Sequence, residues 1–214
     1  MAQLRIVSAS ETHRPSVPAR RSWQTGLPVL QGPRVALREL RPSDAVALFQ
    51  AMSRSDVTRF ISPPPSTLQG FEQFLQWAER ERAAGTHACF GILEPGTDMP
   101  VGLFQIRALE GGFRVSEWGF ALAPEYWGSG LFSESAQLVL EFAFAELGVH
   151  RLEARAAIRN GRGNAALRKL GAVQEGVLRQ SFFRNGEYLD QALWSILAED
   201  WLEGRRERTS PLFH

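Results

Sequence analysis

A chain of 214 residues, 44% hydrophobic and 22% charged, has the size and composition of one globular domain with a tail. Its formal net charge of +1 supplies no basic stripe for nucleic acid and no cationic face for a membrane, and no apolar run reaches the length of a spanning helix. The single cysteine, Cys89, excludes an internal disulfide and fits a reducing compartment such as the cytoplasm.

Residues 1–33 hold Arg14, Arg20 and Arg21 among scattered Pro and Ser, with no apolar period and no hydrophobic signal core. They read as a flexible tail, or as an arm packed on the domain or on a neighbouring subunit. The domain is expected to span residues 34–202, with 203–214 as a C-terminal tail. Val35, Leu37 and Leu40 predict an opening strand, and Pro42-Ser43-Asp44 starts a helix through Met52. Ser62-Pro63-Pro64-Pro65-Ser66 is a stiff loop. A helix over 67–84 follows, with Leu68, Phe71, Leu75 and Ala78 on one face.

Strands are expected over 87–93, 101–109 and 113–122, the last two joined at Gly111-Gly112. A glycine turn, Pro124-Glu125-Tyr126-Trp127-Gly128-Ser129-Gly130-Leu131-Phe132, then opens into a helix reaching about Leu147. Next come a strand over 151–158, a helix N-capped by Asn160 and ended by Gly171, and two strands around the hairpin signal Asn185-Gly186. These elements predict an α/β (α+β) domain with a mixed, mostly antiparallel central sheet and helices on both faces.

The glycine turn carries the chemistry. A glycine-rich helix entry leaves backbone N–H groups free at the positive end of the helix dipole, a seat for phosphate or pyrophosphate. A P-loop would need Lys and then Ser or Thr after the second glycine, and Gly130 is followed by Leu131-Phe132. A dinucleotide fingerprint is partly matched by Gly128-Ser129-Gly130-Leu131-Phe132-Ser133, with Glu153 at about the spacing of a ribose-binding acid. Its glycines should follow a strand directly, whereas here Pro124 ends the strand and Glu125-Tyr126-Trp127 intervene.

The turn resembles the acetyl-CoA loop of the GNAT acetyltransferase superfamily, in the Pro-Glu-Tyr-Trp-Gly-x-Gly form of its RimJ/RimL-type members. Asn160-Gly161-Arg162-Gly163-Asn164, running on to Lys169-Leu170-Gly171-Ala172, is similar to the second cofactor segment of that family. The resemblance implies the GNAT fold, with the strands holding Glu117 and Glu153 splayed around the pantetheine arm. It implies acetyl-CoA as cosubstrate, bound by Phe120, Ala121, Leu122, Trp127, Gly128, Ser129, Gly130, Leu131, Phe132, Asn160 and Asn164, with Arg162 offered to the 3′-phosphate. Phe132, Gly163 and Leu167 depart from the family pattern; Leu167 stands where some relatives carry a tyrosine acid. The implied protein is a monomer or homodimer.

Acetyl transfer needs a held thioester, a donor for the developing oxyanion and a neutral amine. Deprotonating an α-amine of pKa near 8 costs about 1.4 kcal/mol at pH 7, against about 4.6 kcal/mol for a lysine side chain. A weak base therefore suits an α-amine, on a protein N-terminus or a small molecule. Glu117, on a strand face with apolar neighbours, is the candidate base, directly or through water; its other role is an ion pair with an arginine such as Arg107 or Arg155. Ser116 is the fallback, and Tyr126, Ser133 and Tyr188 are acid candidates. The Pro63-Pro64-Pro65 loop and the Asn185-Gly186 hairpin are expected to flank the acceptor channel. The histidines have no ligand spacing and no metal site is expected. The competing function is a non-catalytic acyl-CoA-binding protein.

Overall fold

The computed structural model describes residues 22–94 and 96–209. Strands β1 (Leu30–Gln31), β2 (Ala36–Glu39), β3 (His87–Leu93), β4 (Pro100–Ala108) and β5 (Val115–Leu122) pair in succession, each antiparallel to the one before. Strand β6 (Arg151–Ala157) joins β5 in parallel. Strands β7 (Val173–Arg184) and β8 (Glu187–Leu197) close an eight-stranded sheet in the order β1-β2-β3-β4-β5-β6-β8-β7. This is the mixed, mostly antiparallel sheet expected from the sequence.

Helices α1 (Ala45–Met52), α2 (Ser55–Thr58) and α3 (Leu68–Ala84) cover one face. Helices α4 (Leu131–Phe142), extended by a π-helical turn over Ala143–Leu147, and α5 (Gly161–Lys169) cover the other. Helix α3 starts where Thr67 Oγ1 accepts from Gly70 N at 3.0 Å and stops at Gly85, whose φ of 79° few other residues adopt. Its buried stripe is Phe71, Leu75 and Ala78; Leu68, expected on that stripe, is solvent-facing. The alternation of β4 and β5 sends Leu103 and Ala121 to the α1–α3 side and Phe104, Ile106, Trp118 and Leu122 to the α4 side, so one sheet carries two cores.

Several boundaries differ from those read in the sequence. The fold begins before Arg34: Trp23 is buried edge-on to Phe113 at 5.3 Å, and Leu30 pairs with Leu37 in the sheet. This part of the N-terminal stretch is thus an arm packed on the domain, while residues 1–21 lie outside those described. Helix α6 (Ala198–Thr209) runs past residue 202. Phe113 is a turn residue of φ 63° buried against Trp23, so β5 starts at Val115 and Phe113 does not share a strand face with Glu117. The Asn185-Gly186 turn is as expected, with both residues at positive φ, as a two-residue hairpin requires.

Candidate active site

The functional cleft begins where β5 and β6 part. They pair only at Val115 with Arg151, Ser116 with Leu152 and Glu117 with Glu153; from Trp118 onward neither strand has the other as partner. Leu109 N donates to Val115 O and Ala123 N to Val101 O, so the odd-numbered residues of β5 turn their backbone groups toward β4. By alternation the backbone groups of Phe120 and Leu122 point into the open wedge, where an extended ligand can pair with the N–H and C=O of Phe120 and the N–H of Leu122. Ala121, bonded toward β4, contributes wall rather than backbone donors.

Next to the wedge, the glycine turn presents the expected free donors. Gly130, at φ 88°, caps α4, and the first amide to find a carbonyl within the helix is Glu134 N, on Gly130 O at 3.2 Å. Among the described residues, no protein group accepts from the amides of Gly128, Gly130, Phe132 and Ser133. Ser129 N makes a long bond of 3.4 Å to Tyr126 O, and Leu131 N takes Ser129 Oγ at 3.2 Å. The Arg34 side chain lies against Gly130, tied by Nε to Glu134 Oε2 at 3.0 Å. Phe132, the departure from the family loop, turns its ring onto Phe120 at 4.6 Å and Phe104 at 5.6 Å, which leaves its amide clear. A free-amide cradle beside an open strand wedge fits a diphosphate followed by an extended arm.

Trp127 ties loop to wedge: its Nε1 donates to Leu122 O at 2.8 Å, and the Arg162 guanidinium lies over its ring at 3.7 Å. Asn160 caps α5, its Oδ1 accepting from Gly163 N at 2.9 Å. Its side chain folds back over Gly163 into the space a Cβ would occupy, a physical reason for glycine at this position. Asn164 is committed within the protein. Its Nδ2 donates to Ala157 O at 2.9 Å and Asn160 O at 2.8 Å, and its Oδ1 accepts from Trp194 Nε1 at 2.9 Å.

The wedge opens into a cavity of about 620 Å³ that reaches across β5, β4 and β3 beneath α3 and the Pro63-Pro64-Pro65 loop. Glu117 lines it. Arg107 Nη2 donates to Glu117 Oε2 at 2.5 Å, and Arg155 Nε lies 3.7 Å from Oε1, so both anticipated arginine partners engage the one carboxylate. Ser116 lies on the opposite face, fully buried, its Oγ donating to Phe113 O at 2.9 Å, and is not among the lining residues. The acid candidates do not line the cavity either. Tyr126 donates to Glu94 Oε1 at 2.7 Å, which pushes its phenol up to about 12; Tyr188 is exposed on the hairpin, and Ser133 is exposed at the head of α4. Leu167 reaches the cavity as a buried apolar side chain.

Two further groups of the cavity carried no signal in the sequence. Ser181 and Gln191, bonded to each other at 3.0 Å, come from β7 and β8 and are separated from β5 along the chain by α4, β6 and α5. His87 lies under Trp77, ring centroids 4.8 Å apart, with neither ring nitrogen bonded. Cys89, on the same strand, is buried and its thiol is pushed up to about 12 by that burial, an inert group. Among the described residues no cluster could hold a metal ion, and no helix is long and apolar enough to cross a membrane.

The comparisons agree with this geometry. Residues 34–173 match the family model described as an acetyltransferase (GNAT) domain. An uncharacterized N-acetyltransferase, YoaA, of Bacillus subtilis (strain 168) is 32% identical over 178 residues, covering 79% of this chain and 97% of that protein. The [ribosomal protein uS5]-alanine N-acetyltransferase of Escherichia coli (strain K12) is 24% identical over 122 residues, 56% of this chain and 63% of that protein. Among solved structures, Mycobacterium smegmatis RimJ in complex with CoA-disulfide shares the fold, with a TM-score of 0.70 at 21% identity over 80% of this chain and 90% of that one. The free amides of the glycine turn, the parted strands and these matches together place the chain in the GNAT acetyltransferase family, RimJ/RimL-like, as an acetyl-CoA-dependent N-acetyltransferase.

Proposed function

We propose that this enzyme acetylates a primary amine of low pKa, foremost the α-amine of a peptide or protein N-terminus, by direct transfer from acetyl-CoA. The observation that carries the reading is Glu117: the carboxylate lines the same cavity into which the β5–β6 wedge opens. Bound acetyl-CoA supplies the activated acetyl thioester. The amides of Gly128, Gly130, Phe132 and Ser133 hold its diphosphate, with Ser129, Leu131 and Trp127 shaping the loop around them. The wedge-facing groups of Phe120 and Leu122 align its arm beside Ala121, Asn160 lines the cavity beside it, and Arg162 offers a cation near the loop. A wedge-facing N–H of β5 is placed to stabilise negative charge developing on the carbonyl oxygen.

Glu117 takes the amine proton, directly or through one water. A carboxylate has about four acceptor sites, so two guanidinium partners leave lone pairs for the substrate. The charge around it also sorts acceptors. Arg107 and Arg155 outweigh Glu117 among the ionised lining groups, an unfavourable setting for a polyamine with several ammonium charges. One α-amine, easily neutralised, fits better. The relative named for uS5 alanine acetylation points to the same acceptor class.

The test is release of CoA thiol with a panel of N-terminally free peptides, lysine and spermidine. The reading expects turnover with the free peptides, little with spermidine, and a loss of kcat of about a hundredfold in Glu117→Gln with the affinity for acetyl-CoA retained. Acetyl-CoA binding with no turnover on any acceptor would instead support a non-catalytic binding protein.

A further inference from the structure

We infer that His87 and Gln105 form an acceptor subsite for an uncharged hydrogen-bonding group, a hydroxyl or carboxamide, carried by the substrate beyond its reacting amine. The inference rests on the acceptor reading above. His87 is 3% exposed, lines the cavity, and keeps both ring nitrogens without a bonding partner. A buried polar side chain is rarely left so; an orphaned nitrogen costs about 1–3 kcal/mol unless something comes to it. Gln105 is the nearest polar side chain, close enough for a loose contact with the imidazole but short of good hydrogen-bond geometry, so a substrate group can complete the pair.

Burial lowers the imidazole to about 4, with Glu81 and the Gln105 contact opposing that shift and Arg107 adding to it, so the ring is neutral in the working range. A neutral imidazole offers one donor and one acceptor, and a carboxamide offers both kinds. A ligand hydroxyl or amide satisfies such a pair. An ammonium group offers only donors and meets the neighbouring Arg107 cation; an apolar group leaves both nitrogens orphaned.

The register gives the distance. His87 pairs with Arg107 and Arg107 with Glu117, so His87 stands two strands from the candidate base, about 10 Å between backbones. At roughly 3.3–3.6 Å per residue, an extended peptide with its α-amine at Glu117 carries its third residue about 7 Å along, within side-chain reach of His87. Phe74 and Trp77 wall that end of the cavity.

The experiment measures both affinity for the CoA-loaded enzyme and kcat/KM, using tripeptide amides that carry Ser or Ala, Asn or Leu, or Lys at the second and third positions. The wild type is expected to favour Ser and Asn over Ala and Leu by about tenfold at one of the two positions. In His87→Phe, similar in size and free of the orphaned nitrogens, that ratio falls to about one; Gln105→Met lowers it independently should the first variant not fold. Preference for Lys or the apolar residue, a ratio that survives both substitutions, or no peptide binding overturns the subsite. Turnover without discrimination would sink the subsite and leave the acceptor reading standing. Selective binding without turnover would do the reverse.

Discussion

At the scale of single residues, the chemistry divides into groups read from the chain and groups only the fold assembles. The cleft position of Glu117, the proposed base, was legible because its strand runs into the glycine turn. His87 was not: an isolated histidine opening a strand has no sequence partner, and its meaning comes from α3 folding Trp77 over it. Its burial has a measurable consequence. The unfolded chain takes a proton on this histidine below about 6.5, the folded one only near 4, so the unfolded state binds more protons between those values. The groups around it are Trp77 and Glu81 from α3 and Gln105 and Arg107 from β4. Stability linked to His87 is therefore complete above pH 6.5 and lost as pH falls through 4, by about 3 kcal/mol in total. Denaturant titrations across that window should show the loss, and His87→Phe should flatten that part of the curve.

At the scale of elements, turns and caps were the most readable. Thr67, Gly85, Asn160 and Asn185-Gly186 each act through local backbone chemistry, and local chemistry is written in short sequence. Phe113 escaped because its conformation follows from packing on Trp23, a contact spanning most of the first half of the domain. The glycine turn gives a direct prediction. Gly130 sits at φ 88°, and a Cβ there would stand 3.0 Å from Arg34 Nη2. Gly130→Ala should cost about 1–2 kcal/mol of stability and weaken acetyl-CoA binding; chemical denaturation and calorimetry read the two effects separately. The head of α5 gives another. Asn164→Ala orphans the buried Trp194 Nε1 and should destabilise the domain by about 2 kcal/mol in the same denaturation assay.

At the scale of the molecule, one sheet performs two tasks because two of its strands part. The order of elements and the mixed sheet followed from the sequence; the acceptor cavity did not, since its walls come from the Pro63-Pro64-Pro65 loop, α3, β3 and the β7–β8 pair, joined only by the tertiary fold. Arg184 Nε and Nη2 both donate to Thr58 O, at 3.1 and 2.8 Å, tying the hairpin to α2 beside that loop. Arg184→Ala should raise KM for peptide acceptors several-fold while leaving acetyl-CoA affinity in place, measured by steady-state kinetics and calorimetry. The proposed function depends on the glycine turn gripping the diphosphate of CoA. The most direct measurement is the backbone amide spectrum of isotopically labelled protein titrated with CoA and, separately, with NAD. The account predicts that the Gly128, Gly130, Phe132 and Ser133 signals move with CoA and stay fixed with NAD; saturating CoA binding that leaves those amides undisturbed would contradict it.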